Sequence, residues 1–254
     1  MIKEERMNRM LAFIDKHQYA SVGTLMNVIG TSKSTVRRDL IQLNEEGKIC
    51  FVRGGAASVN KNMLPESPYL EKEATNIMEK QRIAEAAAGL IRPGETVFIV
   101  SGTTARWIFP NIKDVEDLKV ITNDIQIAND MALNENVEVF VTGGWLRKGY
   151  YTLRGFQAES CVRNMKIGTA FLSCDAIDTW NGCYIANSDE VGLLHQIIQS
   201  SHRVVMMADH SKFYTSAFMQ FCDFSKIDIL ITDSLVSDNV ISLLKKHDIK
   251  VMVV

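Results

Sequence analysis

Two sets of residues in this chain have types and spacings that could do chemistry. The first is local: Ser32, Lys33, Ser34, Thr35, Arg37 and Arg38, with Arg53 following. Hydroxyl and guanidinium donors at this density suit phosphate oxygens and the acceptor edges of bases. The second is scattered: Ser101-Gly102-Thr103-Thr104, Asn123, Gly143-Gly144, Asp175, Glu190 and Lys212. Three hydroxyls, a flexible glycine and free backbone N–H groups at a helix start would hold an anion, although plain helix capping by Ser or Thr leaves the same letters. Lys212 could neutralise a phosphate there, with Asp209 orienting it or accepting from a sugar hydroxyl; a surface ion pair is the alternative. Gly143-Gly144 permits close backbone approach to a ligand, or is a turn. Arg147, Lys148 and Arg154 clamp an anion or line a solvated loop. Asp175, Asp178 and Glu190 could move protons or only bind hydroxyls.

The elements that must position these groups follow from periodicity. At 100° per residue, Val36, Leu40 and Leu43 fall within about 60° of one another, with Ser34, Arg37, Arg38 and Ile41 opposite. Ser32 or Thr31 can cap this helix, and Gly47 can end it in a left-handed turn. Met7, Met10, Leu11 and Ile14 mark an amphipathic helix before it; Leu25, Val28 and Ile29 mark a short second one; Gly30-Thr31 is the tight turn between. Residues 48–55 read as a short hairpin with Arg53 near its end. Three helices and a wing make a winged helix-turn-helix, whose third helix reads base edges while wing and cap hold phosphates.

A polar stretch and two prolines, Pro65 and Pro68, then break the pattern, giving a head over 1–58, a linker over 59–73 and a body over 74–254. The net charge of −2 hides an asymmetry: the head has nine Lys/Arg against six Asp/Glu, and the body is acidic. A basic head on an acidic body suits nucleic acid at one end only. The body is expected to begin with a helix from about Ala74 through Leu90. Strands are expected over 96–100, 118–122, 137–142, 169–174, 203–208, 227–232 and 250–254. The helices between them are expected over 103–112, 125–133, 158–164, 190–200 and 237–247. Apolar strands alternating with helices imply a mostly parallel α/β sheet covered on both faces. Ligands of such sheets sit beyond the carboxyl ends of the strands, and the second set of residues lies there except Glu190, which opens a helix.

Five cysteines, without C-x-x-C spacing or a histidine cluster, predict neither a disulfide framework nor a metal site. No cofactor is expected. A reducing cytoplasm fits, and no signal peptide or run of the ~20 apolar residues that span a bilayer is seen.

Residues 1–55 resemble the DNA-binding domain of the DeoR family of bacterial sugar-operon regulators. The resemblance rests on Arg6, Ile14, Ser32, Ser34-Thr35-Val36-Arg37-Arg38-Asp39-Leu40, Leu43, Gly47 and Arg53-Gly54-Gly55-Ala56. It continues through the body in Ser101-Gly102-Thr103-Thr104, Thr122-Asn123-Asp124, Thr142-Gly143-Gly144, Asp175, Asp178, Asn187 and Ala208-Asp209-His210-Ser211-Lys212. The resemblance implies an effector domain related to ribose-5-phosphate isomerase and, more distantly, to CoA transferases. It also implies a repressor of a carbohydrate operon, operator DNA and a phosphorylated sugar as partners, and a homo-oligomer, dimer or tetramer. Val100, Ala176 and the segment 179–186 depart from the family pattern where the non-phosphate end of an effector would lie. The isomerase relatives imply a lysine in a glycine-rich loop before a catalytic glutamate. Glu190 matches the glutamate, but no lysine stands between Asp178 and Glu190. The expected pocket is therefore a sensor without catalytic residues; an isomerase with a DNA-binding head, or an activator, are the alternatives.

Overall fold

A computed structural model describes residues 2–17, 19–46, 48–52, 55–58 and 66–254. The expected helix stop Gly47, the wing residues Arg53 and Gly54, and 59–65 of the linker lie outside the described residues.

The head consists of α1 (Lys3–His17), β1 (Tyr19–Ser21), α2 (Val22–Ile29), α3 (Lys33–Glu45), β2 (Ile49–Val52) and β3 (Gly55–Ser58). Of the set the periodicity selects, Met7, Met10 and Ile14 meet Leu25 and Ile29 of α2 and Val36, Leu40 and Leu43 of α3, while Leu11 is partly buried and Val28 is exposed. Ser21 caps α2 by accepting from Thr24 N, and Gly30 closes it in the left-handed region at φ 69°. Ser32, not Thr31, caps α3, accepting from Thr35 N. The wing has an unforeseen third strand, in the order β1-β3-β2. A Cβ on Gly55 would lie 2.2 Å from the Ala20 carbonyl oxygen, so only glycine lets β1 and β3 approach.

The body opens with α4 (Tyr69–Ala74) and α5 (Ile77–Ala88). One continuous helix from Ala74 is expected, but Asn76 sits in the left-handed region at φ 51° and separates the two; Ile77, at the start of α5, is exposed. The segment read as linker thus carries a helix from Tyr69, whose side chain is buried.

There follow β4 (Thr96–Ile99), β5 (Leu118–Thr122), α6 (Ile125–Met131), β6 (Val137–Val141), β7 (Trp145–Leu146), β8 (Leu153–Arg154), α7 (Phe156–Val162) and β9 (Ile167–Ser173). The chain continues through β10 (Ala176–Asp178), β11 (Gly182–Ile185), α8 (Val191–Ser200), β12 (Ser201–Met207), β13 (Met219–Cys222), β14 (Ile229–Thr232), α9 (Asp238–Leu244) and β15 (Lys250–Val253). Seven strands form one sheet in the order β15-β14-β12-β9-β4-β5-β6, every pair parallel. Alternate residues feed its two faces. Val97 and Ile99 pack under α5 and α6, while Phe98 and Val100 pack under α7, α8 and α9.

The expected helix over 103–112 is a 3₁₀ segment, Ala105–Asn111, because Pro110 cannot donate to an α-helical ladder. The helix expected over 158–164 begins earlier, at Phe156. Two small antiparallel sheets, β10-β11-β13 and β7-β8, were not anticipated. Cys174, Cys183 and Cys222 are free and buried in the apolar core. No helix among the described residues is long and apolar enough to cross a membrane.

Candidate functional site

The head presents one polar face. Val36, Asp39, Leu40 and Leu43 point α3 inward, which leaves Ser32, Lys33, Ser34, Arg37 and Arg38 exposed and Thr35 half-buried. Ser32 Oγ lies 3.0 Å from Ser34 Oγ and 2.9 Å from Thr35 Oγ1, so the cap hydroxyl is tied into the helix start. Asp39, 1% exposed, is the polar exception in the core. Arg6 of α1 donates to it through Nε at 2.5 Å and Nη2 at 3.2 Å, which fixes α3 against α1. That pairing raises the Arg6 pKa: the Asp39 hydrogen bond acts first, partial burial opposes it, and the Asp39 charge adds.

In the body, a cavity of about 80 Å³ opens at the carboxyl edge of the sheet. Ser101, Gly102, Thr103 and Thr104 after β4, Asn123 after β5, Asp175 after β9, Glu190 before α8 and Lys212 after β12 all line it. Most of the residues chosen for the body therefore meet in one place. Asn123, 2% exposed, organises the loop: its Oδ1 accepts from Ser101 N at 2.8 Å, and its Nδ2 donates to the Leu153 carbonyl at 3.2 Å. Gly102 stands at φ 150°, and a Cβ there would sit 2.8 Å from Ser173 Oγ. Among the described residues Lys212 makes no side-chain hydrogen bond or ion pair; it lines the cavity, and its charge helps hold the Asp175 carboxyl down.

Gly143 and Gly144 do not line the cavity. A Cβ on Gly144 would meet the Arg154 carbonyl oxygen at 2.6 Å, so this glycine serves the close packing of backbone against β8. Asp178 turns the chain, accepting from Trp180 N and Asn181 N, and Trp145 is exposed. Arg154 pairs with Asp189 on the surface.

The sequence reading missed the groups that close the cavity. Glu66 and Lys72, both within the expected linker, and Tyr150 beyond Gly144 all line it. Lys72 Nζ lies 2.6 Å from both Glu66 Oε1 and Asp175 Oδ1. Arg147 grips Glu66 with both arms, reaches Glu190 Oε1 at 2.8 Å and stacks 3.8 Å from the Tyr150 ring centroid. Burial pushes the Asp175 and Glu66 carboxyls up, but their cations outweigh it and hold both below the usual range. Glu190 goes the other way: burial, with Glu66 and Asp175 nearby, raises it despite Arg147. Lys80 is buried beneath, donating to the Lys72 carbonyl oxygen, and burial lowers its pKa to about 8. The one trace of this wall in the sequence is the helix-forming run Leu70-Glu71-Lys72-Glu73-Ala74 behind Pro68.

His210 braces the loop that carries Lys212, its Nδ1 3.1 Å from Asp233 Oδ2. The Asp233 hydrogen bond raises its pKa, ahead of the opposing effect of burial. A raised folded-state pKa stabilises below the unfolded value of about 6.5 and fades as pH climbs through the folded one. The melting-temperature gap between wild type and His210→Asn is expected to be widest near about pH 6 and to shrink on the alkaline side. A gap independent of pH would show that the pair carries no charge.

Comparison with known proteins matches both halves. The DeoR C terminal sensor domain matches residues 75–234, and the DeoR-like helix-turn-helix domain matches residues 6–62. A putative aga operon transcriptional repressor of Escherichia coli O157:H7 is 31% identical over 98% of this chain and 93% of its own. The HTH-type transcriptional repressor GlcR of Bacillus subtilis (strain 168) is 30% identical over 100% of this chain and 97% of its own. The glycerol-3-phosphate regulon repressor of Escherichia coli (strain K12) is 28% identical over 98% of both. Among solved structures, ribose 5-phosphate isomerase from Plasmodium falciparum covers 54% of this chain and 52% of its own, at 15% identity and a TM-score of 0.38. With a helix-turn-helix core at one end and a sensor sheet at the other, the chain belongs to the DeoR family of transcriptional regulators.

Proposed function

We propose that this protein represses a carbohydrate-catabolic operon and leaves its operator when the body takes up a phosphorylated sugar. The observation that carries the reading is Lys212, without an ion pair among the described residues, sharing one cavity with the Ser101–Thr104 loop at the strand ends where such sheets bind ligands. The phosphate sits against this loop and Lys212; the sugar extends toward Asp175 and Glu190. The exposed face of α3 reads bases, and Arg53 holds phosphate. The protein works as a dimer or tetramer, because two heads on a two-fold axis match a palindromic operator. The effector acts by binding the two head arrangements unequally; equal binding would shift nothing.

The test is fluorescence anisotropy of the full chain on DNA from upstream of neighbouring genes, with and without sugar phosphates. Tight, salt-dependent binding released by one phosphate ester is the expected result. Arg37→Ala should weaken operator binding by roughly 1–3 kcal/mol and relax the preference at one base position. A uniform loss across sequences would move Arg37 to a phosphate. Lys212→Ala should leave operator affinity intact and remove the response to the ester. Unchanged release would exclude Lys212.

The body is a sensor and not an isomerase. Glu190, with its raised pKa, is the observation that favours the rival reading, since a proton-transfer residue needs such a shift. Against it, Lys72, the lysine in contact with the carboxylates, is held by Glu66 and Asp175. A coupled isomerase assay on pentose and hexose phosphates should show no turnover.

A further inference from the structure

We infer that Arg147 and Lys72 form a subsite for a second acidic group on the effector, occupied by the Glu66 carboxylate until the effector arrives. This rests on the sugar-phosphate reading above and narrows it to doubly acidic compounds, a phosphorylated sugar acid or a sugar bisphosphate.

The subsite is already built around a carboxylate. Arg147 meets both Glu66 oxygens in a fork, Nη1 at 3.3 Å from Oε1 and Nη2 on Oε2, and Lys72 Nζ adds a third donor at 2.6 Å. Fork pairing of this kind is the strong, directional way to hold a planar anion. Both cations are mostly buried, and the Arg147 guanidinium lies 3.8 Å from the Tyr150 ring centroid.

The three carboxylates here are not equivalent. Asp175 stands at a strand end and accepts from Ala186 N at 2.9 Å. Glu190 opens α8, with Arg147 at 2.8 Å and Asn187 Nδ2 at 3.4 Å. Both belong to the frame of the sheet. Glu66 stands in the connecting chain ahead of α4, and besides its own ion pairs that chain is held here by Tyr150, which donates to the Ser67 carbonyl at 2.9 Å. Glu66 is the one that can leave.

Space and charge both require it to do so. A cavity of about 80 Å³ is far below the roughly 300 Å³ at which small-molecule sites begin. A second cavity of about 270 Å³ adjoins it and shares Glu66, Lys72, Asp175 and Lys212. The Glu66–Lys72–Asp175 pairs are the partition, and withdrawing Glu66 joins the two spaces. A ligand with only hydroxyls at that end would leave a buried guanidinium one carboxylate short, which is costly. A ligand carboxylate or second phosphate replaces Glu66 charge for charge.

Isothermal titration of the full chain with matched pairs decides it: glycerol 3-phosphate against 3-phosphoglycerate, sorbitol 6-phosphate against 6-phosphogluconate, and glucose 6-phosphate against glucose 1,6-bisphosphate. The acidic partner of a binding pair is expected to bind roughly tenfold tighter or more, the worth of a charge-assisted bond. Glu66→Gln, which removes the resident competitor, should tighten it further. Gain for 6-phosphogluconate or 3-phosphoglycerate identifies a sugar acid; gain for the bisphosphate alone identifies a second phosphate. If the singly phosphorylated members bind and their acidic partners bind no better, the subsite is overturned and the sensor reading stands. If no member of any pair binds, the sensor reading falls and takes the subsite with it. The wild-type comparison decides even if Glu66→Gln does not fold.

Discussion

Leu40→Ala should abolish operator binding while leaving the body folded. Leu40 is fully buried at the centre of α3, touching the core that α1 and α2 complete. Emptying such a site costs about 2–5 kcal/mol, and a domain of this size holds a margin of only a few kcal/mol. The helix that presents Arg37 and Arg38 is anchored through this residue, so the loss reaches DNA without touching a polar group. The head core shares no residue with the two clusters that flank the body sheet. Calorimetry should therefore lose or lower one transition and keep the other, and anisotropy should show no specific operator complex. Retained operator affinity would mean that the head tolerates the cavity and that α3 is held elsewhere.

Asn123→Ala should make the protein deaf to its effector while it still binds DNA. Asn123 is a buried clasp between two loops, accepting from Ser101 N and donating to the Leu153 carbonyl. Alanine leaves both backbone groups without that partner, at about 1–3 kcal/mol for each one that water cannot reach. The body transition should fall by several degrees, in line with a loss of a few kcal/mol. The larger effect is functional: the Ser101–Thr104 loop loses the contact that sets its shape, so a phosphate ester should no longer release the operator. A variant that melts lower yet responds normally would separate the loop from effector binding.

Much of the fold was legible because its signals are local. The α3 stripe, the Ser32 cap and the apolar strands at Thr96–Ile99, Leu118–Thr122 and Ile229–Thr232 each declare themselves within a few residues. The rule that ligands sit past the strand ends then gathered Ser101, Asn123, Asp175 and Lys212 without coordinates. What stayed hidden depends on distant partners. Lys72 meets Asp175 across 103 positions and Arg147 meets Glu66 across 81, so the helix-forming run of α4 gives no sign of the cavity it closes. Gly144 misled for a different reason. A glycine that admits a ligand and one that admits a neighbouring strand look alike until the neighbour, here the Arg154 carbonyl, is in place. The strands β7, β8, β10 and β11 are two to four residues long, too short for an alternating pattern to show.

The grip of Arg147 and Lys72 on Glu66 also bears on when a cell would respond. A pocket that supplies its own counter-charge competes against every incoming metabolite, and the competitor is tethered, so dilution never weakens it. Apparent affinity is the intrinsic affinity reduced by the fraction of molecules in which Glu66 has swung out. A compound that cannot replace the carboxylate meets that penalty in full, and trace amounts of common sugar phosphates pass unnoticed. The ion pair thus sets a threshold: genes stay silent against metabolic background and open only once the proper compound accumulates. Changing one side chain, Glu66, would reset that level without altering a single contact to DNA.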